Sequence, residues 1–144
     1  MKTVTGILGG RTPYWVAASW SVRRAVEYLC EKHVGAVPVV DADLVVGVFS
    51  ERDLMRRVVL PGLDLDETGI AEVMTPQVIC VEPDQSYLAA KEMMVEHNIR
   101  HLVVKDAQGR LKGFLSLREL SETALDEAKA LITKLNDQYY RTPD

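Results

Sequence analysis

The chain has few cysteines and no long apolar run, and these absences exclude several kinds of protein. Cys30 and Cys80 are the only two cysteines in 144 residues, and neither has a neighbouring cysteine that could complete a zinc knuckle or a redox pair. Nowhere do about eighteen apolar residues follow one another, as a membrane-spanning helix requires. The first residues also lack the apolar core of a signal peptide. We therefore expect a cytoplasmic protein with no membrane segment, no metal site and two buried free thiols.

An excess of positive charge is also missing. Lys and Arg number 17 against 21 Asp and Glu, which gives a formal net charge of −4. No window concentrates basic residues into the stripe that a phosphate backbone requires, so nucleic acid is not an expected partner. Hydrophobic residues make up 47% of the chain, which is enough to bury the core of one domain or of two small domains that share a core.

What the chain does contain is a pattern that occurs twice. The apolar run 44–49 is typical of a buried strand, and it ends in Ser50-Glu51-Arg52-Asp53, where a hydroxyl and a carboxylate three positions later indicate the start of a helix. The same pattern returns at a constant offset over 111–120. Upstream, a helix and a strand are repeated in the same way, with Val81 in the place of Val16. The sequence therefore predicts two β-α-β-β-α units.

The repeat divides the chain into four parts. Repeat 1 with its N-terminal lead-in covers residues 1–60, a connector rich in Gly and Pro covers 61–69, repeat 2 covers 70–122, and an amphipathic helix with a tail covers 123–144. One repeat buries too little surface to be stable alone. We therefore expect an α+β fold in which the two repeats pack around a pseudo-two-fold axis and bring two similar strand-to-helix corners into one cleft.

The C-terminal helix carries a narrow apolar seam. Its members recur at alternating spacings of three and four positions, and they are Leu125, Ala128, Ile132, Leu135 and Tyr139. Two interpretations remain open. The seam packs on its own domain, or it pairs with a second chain and makes a homodimer.

Four short motifs, by their order along the chain and their repetition in tandem, resemble a CBS-domain pair, also called a Bateman module. They are Gly-x-x-Ser-x-x-Asp ending at Asp53, the strand Val-Gly-Ala-Val-Pro-Val-Val-Asp at 34–41, Val-Met-Thr-Pro at 73–76 and Ile-Arg-His-Leu at 99–102. The resemblance covers nearly all of residues 3–122. It implies regulation rather than catalysis, and an adenosine nucleotide bound between the repeats. AMP is the favoured ligand, ADP, ATP, NADH and S-adenosylmethionine are alternatives, and no other cofactor is expected.

The resemblance implies one good site and one weak or empty site. In the first, Asp53 would hold both ribose hydroxyls, while Arg100 and His101 from the facing repeat would reach the phosphates. Its other expected ligand-binding residues are Ser50, Glu51, Arg52, Thr75, Pro76, Val78 and Ile79. The second, weaker site would use Tyr14, Trp15, Val16, Ser116, Arg118 and Glu119. It departs from the family pattern because Glu119 replaces the usual Asp and because Gly35-Ala36 stand where an Arg-His pair is needed.

Both corners also have a purely structural interpretation. Ser-x-x-Glu and Ser-x-x-Asp at a helix start can form a capping box, which is the favoured interpretation for Glu119. No nucleophile with a base and an orienting group can be picked out, so no catalytic residue is predicted. The main hypothesis is a non-enzymatic nucleotide sensor that changes repeat orientation and acts on an effector protein in trans. The alternative is a constitutive dimerisation scaffold without a ligand, and phosphate release from a bound nucleotide is a third, weaker hypothesis.

Overall fold

The computed structural model describes residues 2–140, and it contains the predicted unit twice. In repeat 1 the elements are β1 (Val16–Ala17), α2 (Val22–Lys32), β2 (Ala36–Asp41), β3 (Leu44–Ser50) and α3 (Glu51–Asp53), which continues as a π-helical segment over Leu54–Val59. In repeat 2 they are β4 (Cys80–Val81), α5 (Tyr87–Glu96), β5 (His101–Lys105), β6 (Leu111–Ser116) and α6 (Leu117–Tyr139). Two short helices, α1 (Val4–Leu8) and α4 (Ile70–Val73), precede the repeats. The predicted α+β fold is confirmed.

Each repeat forms one three-stranded sheet, in the orders β1-β2-β3 and β4-β5-β6. The first two strands of each sheet run parallel, and the last two form an antiparallel hairpin. Both hairpins contain a register shift, between Val39 and Val40 in one and between Val104 and Lys105 in the other. These positions correspond when the two repeats are aligned, so the repeat in the sequence extends to the irregularities of the sheets.

Serine residues begin the main helices. The Ser21 side chain accepts a hydrogen bond from the backbone N–H of Arg24 at the start of α2, and Ser86 accepts one from Ala89 at the start of α5. Each hydroxyl satisfies one of the first helical N–H groups, which lack partners within the helix. The equivalent serines of the two repeats are therefore equivalent caps.

The cysteines differ from expectation. Helix α2 buries the face formed by Val22, Ala25 and Leu29. Cys30 is exposed because it lies one position beyond Leu29, outside that face, and Cys80 is only partly buried. The prediction of two buried thiols is wrong.

Two lead-in segments precede the first strands of the repeats, residues 3–15 before β1 and 69–79 before β4. Each places its short helix in the core of the other repeat. Ile70 and Val73 of α4 pack in the core of repeat 1, around Phe49. Val4 and Leu8 of α1 pack in the core of repeat 2, with Leu102, Leu115 and Leu120 among its other members. Each short helix thus contributes apolar surface to the opposite repeat, and this exchange joins the two units into one folded body.

Helix α6 continues without a break through the predicted boundary at residue 122. Its first turns are held in place by Leu120, which is buried, and by the Tyr87 hydroxyl, which donates to Glu127 Oε2 at 2.7 Å. Residues 128–140 are all exposed. Leu125 and Ile132 of the seam are 55% and 57% exposed, so the seam does not pack on its own domain. The predicted tail at 141–144 lies outside the described residues.

Candidate functional site

The corner that follows β3 is closed by contacts within the chain. Asp53 is only 7% exposed. Its Oδ2 accepts hydrogen bonds from the backbone N–H of Ser50 at 3.0 Å and from the Ser50 hydroxyl at 3.2 Å, and its Oδ1 accepts one from the Thr75 hydroxyl at 3.0 Å. Arg57 Nε lies 3.7 Å from Oδ1. Protein groups therefore use both carboxylate oxygens, and Ser50 with Asp53 forms the capping box that the sequence allowed.

The lead-in of repeat 2 covers this corner. Thr75 donates its N–H to the Val48 carbonyl at 2.8 Å, and its own carbonyl accepts from the Val48 N–H at 3.0 Å. Arg57 Nη1 donates to the Met74 carbonyl at 2.7 Å. Gly47 permits the approach, because a Cβ there would lie 2.8 Å from the Thr75 carbonyl oxygen. The segment thus lies on β3 and leaves the Asp53 carboxylate little access to solvent.

The equivalent corner of repeat 2 is open. A cleft of about 920 Å³ lies between the start of α6, the start of β5 and residues of repeat 1. Its lining comprises Leu8, Arg11, Thr12, Pro13, Tyr14, His33, Val34, Gly35, Ala36, Arg100, His101, Gly113, Phe114, Ser116, Leu117, Arg118, Glu119 and Ser121.

The path of the first lead-in explains why this corner is open. Leu8 packs against Gly113 as Met74 packs against Gly47. Gly9 and Gly10 follow with φ angles of 60° and 76°, a region that glycine adopts at little cost. The chain therefore turns away from β6, and within residues 2–140 no isolated bridge joins this lead-in to β6 in the way that Thr75 joins Val48.

The charges of the cleft favour an anion. Three arginines and two histidines line it, against Glu119 as the one carboxylate among the lining residues. The N-terminus of the 23-residue helix α6 also lies at the cleft, although the Leu117 N–H already donates to the Arg100 carbonyl and the Glu119 N–H to Ser116 Oγ. Arg118 is drawn outwards by an ion pair with Glu122 at 3.1 Å. Arg100 makes no ion pair within 4 Å among the described residues.

His101 is held against an aromatic ring at the floor of the cleft. Its ring lies parallel to that of Phe114, with 5.1 Å between the centroids and 9° between the planes. Burial lowers the pKa of His101, and the charge of Glu119 opposes this shift. The imidazole is therefore neutral near pH 7 and able to take up a proton when an anion arrives.

Glu119 does not complete a capping box. Its backbone N–H donates to Ser116 Oγ at 3.1 Å, as a cap requires. Its carboxylate, however, accepts from Arg11 Nη2 at 2.5 Å instead of returning to the backbone of Ser116. The prediction of a capping role for this side chain is wrong, because the carboxylate binds the Arg11 guanidinium of the lead-in.

The structure groups the predicted site residues differently from the sequence-based pairing. Arg100 and His101 lie with Ser116 and Glu119, because β5 and β6 form a hairpin in which His101 is opposite Ser116. They do not lie beside Asp53, whose carboxylate is bonded by Ser50 and Thr75. The residues of the other repeat that face Glu119 across the cleft are instead those at 33–36.

The other predicted residues divide between the two corners. Ser50 and Thr75 surround Asp53. Glu51 lies against Gly35 beside the open cleft. Arg52 and Pro76 are not buried, Val78 is partly buried, and Ile79 packs against the core of repeat 2.

Four of the six residues of the predicted weaker site line the open cleft. They are Tyr14, Ser116, Arg118 and Glu119. Val16 is instead fully buried opposite Val39, and Trp15 is half exposed but outside the lining. Arg11 and His33 were missed. Arg11 enters the cleft directly after Gly9-Gly10. From the sequence, this glycine pair predicted only the end of a helix.

The comparisons with known proteins agree with this architecture. The model of the CBS domain family matches residues 10–60 and 70–126. The chain belongs to the CBS-domain family. The CBS domain-containing protein YhcV of Bacillus subtilis is 28% identical over 125 residues, which are 85% of this chain and 88% of that protein.

Two solved CBS-domain structures are similar over most of the chain. One, from Burkholderia ambifaria MC40-6, is 37% identical with a TM-score of 0.78, over 87% of this chain and 95% of its own. The other, PAE2072 from Pyrobaculum aerophilum in complex with AMP, is 30% identical with a TM-score of 0.74, over 82% of this chain and 89% of its own.

Residues 2–140 contain neither a membrane-spanning helix nor a cluster of metal-ligating side chains. Over residues 2–140, no helix combines the length and the apolar character that crossing a bilayer needs. In the same part of the chain, no group of three or more His, Cys, Asp or Glu side chains is arranged to hold a metal ion.

Proposed function

We propose that this CBS-domain pair is a regulatory module that binds an adenosine nucleotide in the open cleft at Glu119. The observation that carries the proposal is the cleft itself, whose volume of about 920 Å³ is within the range of small-molecule sites. Its arginines and histidines match a phosphate group, and the dipole of the adjacent helix N-terminus also favours negative charge. The AMP complex of PAE2072 supports an adenylate as the ligand, and AMP is the first candidate.

The lining residues suggest how the nucleotide lies. The phosphate contacts Arg100 and His101 near the start of α6. The ribose lies next to Glu119, the equivalent of the family's ribose-binding carboxylate. The base packs on Tyr14, which is 46% exposed and supported edge-on by Tyr28 at a centroid distance of 6.2 Å. Asp53 has a structural role in this proposal, because its acceptors are already used.

The proposed regulation depends on the fact that both repeats contribute residues to the cleft. Residues 33–36 belong to repeat 1, whereas Arg100, His101 and Glu119 belong to repeat 2. A ligand that contacts both repeats favours the relative orientation in which both sets of contacts form. The change in orientation is the output, and an effector protein acting in trans is its receiver. Neither step is enzymatic.

The exposed seam of α6 supports a homodimer as the assembled form. Leu135 and Tyr139 are 42% and 73% exposed and continue the stripe of Leu125 and Ile132. Spacings of three and four positions are those of two helices that pack side by side.

A binding experiment with a matched control tests the proposal. Wild type, Arg100→Ala and Arg110→Ala are titrated calorimetrically with AMP, ADP, ATP, NADH and S-adenosylmethionine. Arg110 lies in the hairpin turn, where it pairs with Asp106 at 3.2 Å, outside the cleft. Loss of a charge-assisted hydrogen bond of about 1.5 to 3 kcal/mol predicts a roughly ten- to hundredfold weaker affinity in Arg100→Ala. Arg110→Ala is expected to bind as wild type does.

A melting experiment gives an independent measurement. A ligand at about one hundred times its dissociation constant stabilises the folded state by roughly 2.7 kcal/mol, which raises the melting temperature. If none of the five compounds binds to wild type or raises its melting temperature, the proposal fails and the ligand-free scaffold is the better account.

A further inference from the structure

The cleft contains an ion pair between Arg11 and Glu119. The Arg11 guanidinium pairs with Glu119 Oε2 at 2.5 Å, and the two side chains are 50% and 32% exposed. Glu119 is the carboxylate to which a ribose would bind. An arginine of the lead-in therefore occupies the place that the ribose would take.

The two corners hold their carboxylates in different ways. Asp53 is buried and bound by Ser50 and Thr75, whose positions are fixed by β3 and its bridge to the lead-in. Within residues 2–140, Arg11 is the side chain that bonds the Glu119 carboxylate. A ribose whose two hydroxyls bind both carboxylate oxygens competes with Arg11 for Oε2.

Arg11 is placed so that it can move. It follows Gly9 and Gly10, and a Cβ at Gly10 would meet no atom within 4 Å. The guanidinium makes no other hydrogen bond among the described residues. A rotation of this segment or of the side chain alone can therefore move the charge along the cleft without disturbing the core.

The cost of this movement depends on the charge of the ligand. A nucleoside without a phosphate would take Glu119 and leave the Arg11 guanidinium without an anion, in a cleft that also contains Arg100 and Arg118. A sulfonium ligand adds another positive charge. A phosphate, in contrast, gives the released guanidinium a new partner whose geometry it matches in a bidentate contact.

We infer that Arg11 is a specificity-determining residue that selects phosphorylated adenosine ligands over uncharged and cationic adenosine compounds. The inference rests on the proposed function of the cleft. Arg11 competes for Oε2 of Glu119 with any ligand whose ribose hydroxyls bind both carboxylate oxygens, and only a ligand with a phosphate compensates for the loss of that ion pair. Discrimination arises as much from the penalty on the wrong ligand as from attraction to the right one.

The test compares four ligands on a matched set of variants. Adenosine, AMP, ATP and S-adenosylmethionine are titrated against wild type, Arg11→Ala and Arg23→Ala. Arg23 is a close match for Arg11, since it pairs with Asp66 at 2.6 Å with exposures of 50% and 59%, outside the cleft. Both substitutions remove one positive charge and one exposed ion pair.

Arg11→Ala is expected to change the affinity for phosphorylated ligands and for the other two ligands in opposite directions. AMP and ATP bind roughly tenfold more weakly, because a charge-assisted contact is lost. Adenosine and S-adenosylmethionine bind about two- to fivefold more tightly, because an exposed ion pair no longer competes for Glu119. Arg23→Ala leaves the ratio of AMP to adenosine affinity as in wild type.

A double variant tests whether Arg11→Ala acts through its ion pair with Glu119. In Glu119→Gln, no ion pair with Arg11 remains to be broken, so adding Arg11→Ala to that background no longer tightens adenosine binding. If AMP binds to wild type but Arg11→Ala changes all four affinities by one factor, the inference fails and the proposed function stands. If none of the four binds to wild type, both fail.

Discussion

Asp53 and Glu119 occupy equivalent positions in the two repeats, but their carboxylates have different partners. The shorter Asp53 returns to the N–H of its own cap residue, Ser50, at 3.0 Å. Glu119 instead binds Arg11, and its length is not the reason, because Glu72 of α4 does return to the N–H of its own cap residue, Gly69, at 2.8 Å. At the scale of single residues, the residue that departs from the family pattern is the carboxylate that lines the open cleft.

His101 provides a pH-dependence that belongs to this scale. Burial lowers its pKa below the ordinary value of 6.5, whereas a bound phosphate next to the ring stabilises the imidazolium and raises it. Binding therefore takes up a proton. We predict that the affinity for AMP rises as the pH falls from about 8 to about 6, by less than the roughly tenfold per pH unit that complete uptake of one proton gives.

Calorimetry at several pH values in His101→Gln checks this prediction. The AMP phosphate titrates identically with both proteins, so a difference in slope between them reports the histidine. Equal slopes would show that His101 is not near the phosphate.

At the scale of elements, the two lead-ins determine which corner is open. Thr75 extends the second lead-in along β3 by two hydrogen bonds to Val48. Gly9 and Gly10 turn the first lead-in away from β6 at the equivalent point. The connection from α4 to β4 therefore covers one corner. The equivalent connection from α1 to β1 leaves a cleft of about 920 Å³ at the other.

Equivalent glycines under the two lead-ins give a direct comparison. A Cβ at Gly47 would lie 2.8 Å from the Thr75 carbonyl oxygen, a backbone atom that its strand bridge holds in place. The three atoms nearest to a Cβ at Gly113 all belong to the Leu8 side chain, and the first lies at 2.5 Å. We predict that Gly47→Ala lowers the free energy of unfolding by about 1 to 3 kcal/mol, and more than Gly113→Ala does. Urea denaturation measures both, and an equal or larger loss in Gly113→Ala would contradict the account.

The protruding part of α6 is the second element with a testable role. Three helical turns whose residues are all exposed have little stability by themselves. We predict that Ile132→Glu, on the seam, lowers the mass measured by light scattering from that of a dimer to that of a monomer. Ala130→Glu adds the same charge on an exposed position off the seam and is expected to leave the mass unchanged. A wild-type protein that is already monomeric would exclude this interface.

At the scale of the whole molecule, the fold could be predicted from the sequence because it is encoded twice. The nearly constant offset between the copies located each strand and helix in duplicate, and the cap serines marked the helix starts. The exchange of α1 and α4 between the cores was not predicted. A short apolar helix shows which face is buried but not against which repeat.

The site was predicted less well, for two physical reasons. Arg100 was paired with the opposite repeat, although the hairpin around Asp106 and Gly109 brings it next to Ser116 of its own repeat. The openness of a corner depends on the path of a connection, which differs between the repeats by a pair of glycines. Such a path is set by tertiary contacts, and local propensity does not reveal it.

The central claim is that the nucleotide binds at Glu119 and Arg100 and not at Asp53. A crystal structure after soaking with millimolar AMP tests it most directly. The account predicts one AMP per chain in the open cleft, with its phosphate on Arg100 and His101, and no ligand density beside Asp53 and Thr75. Density for AMP at Asp53, with none in the cleft at Glu119, would contradict it.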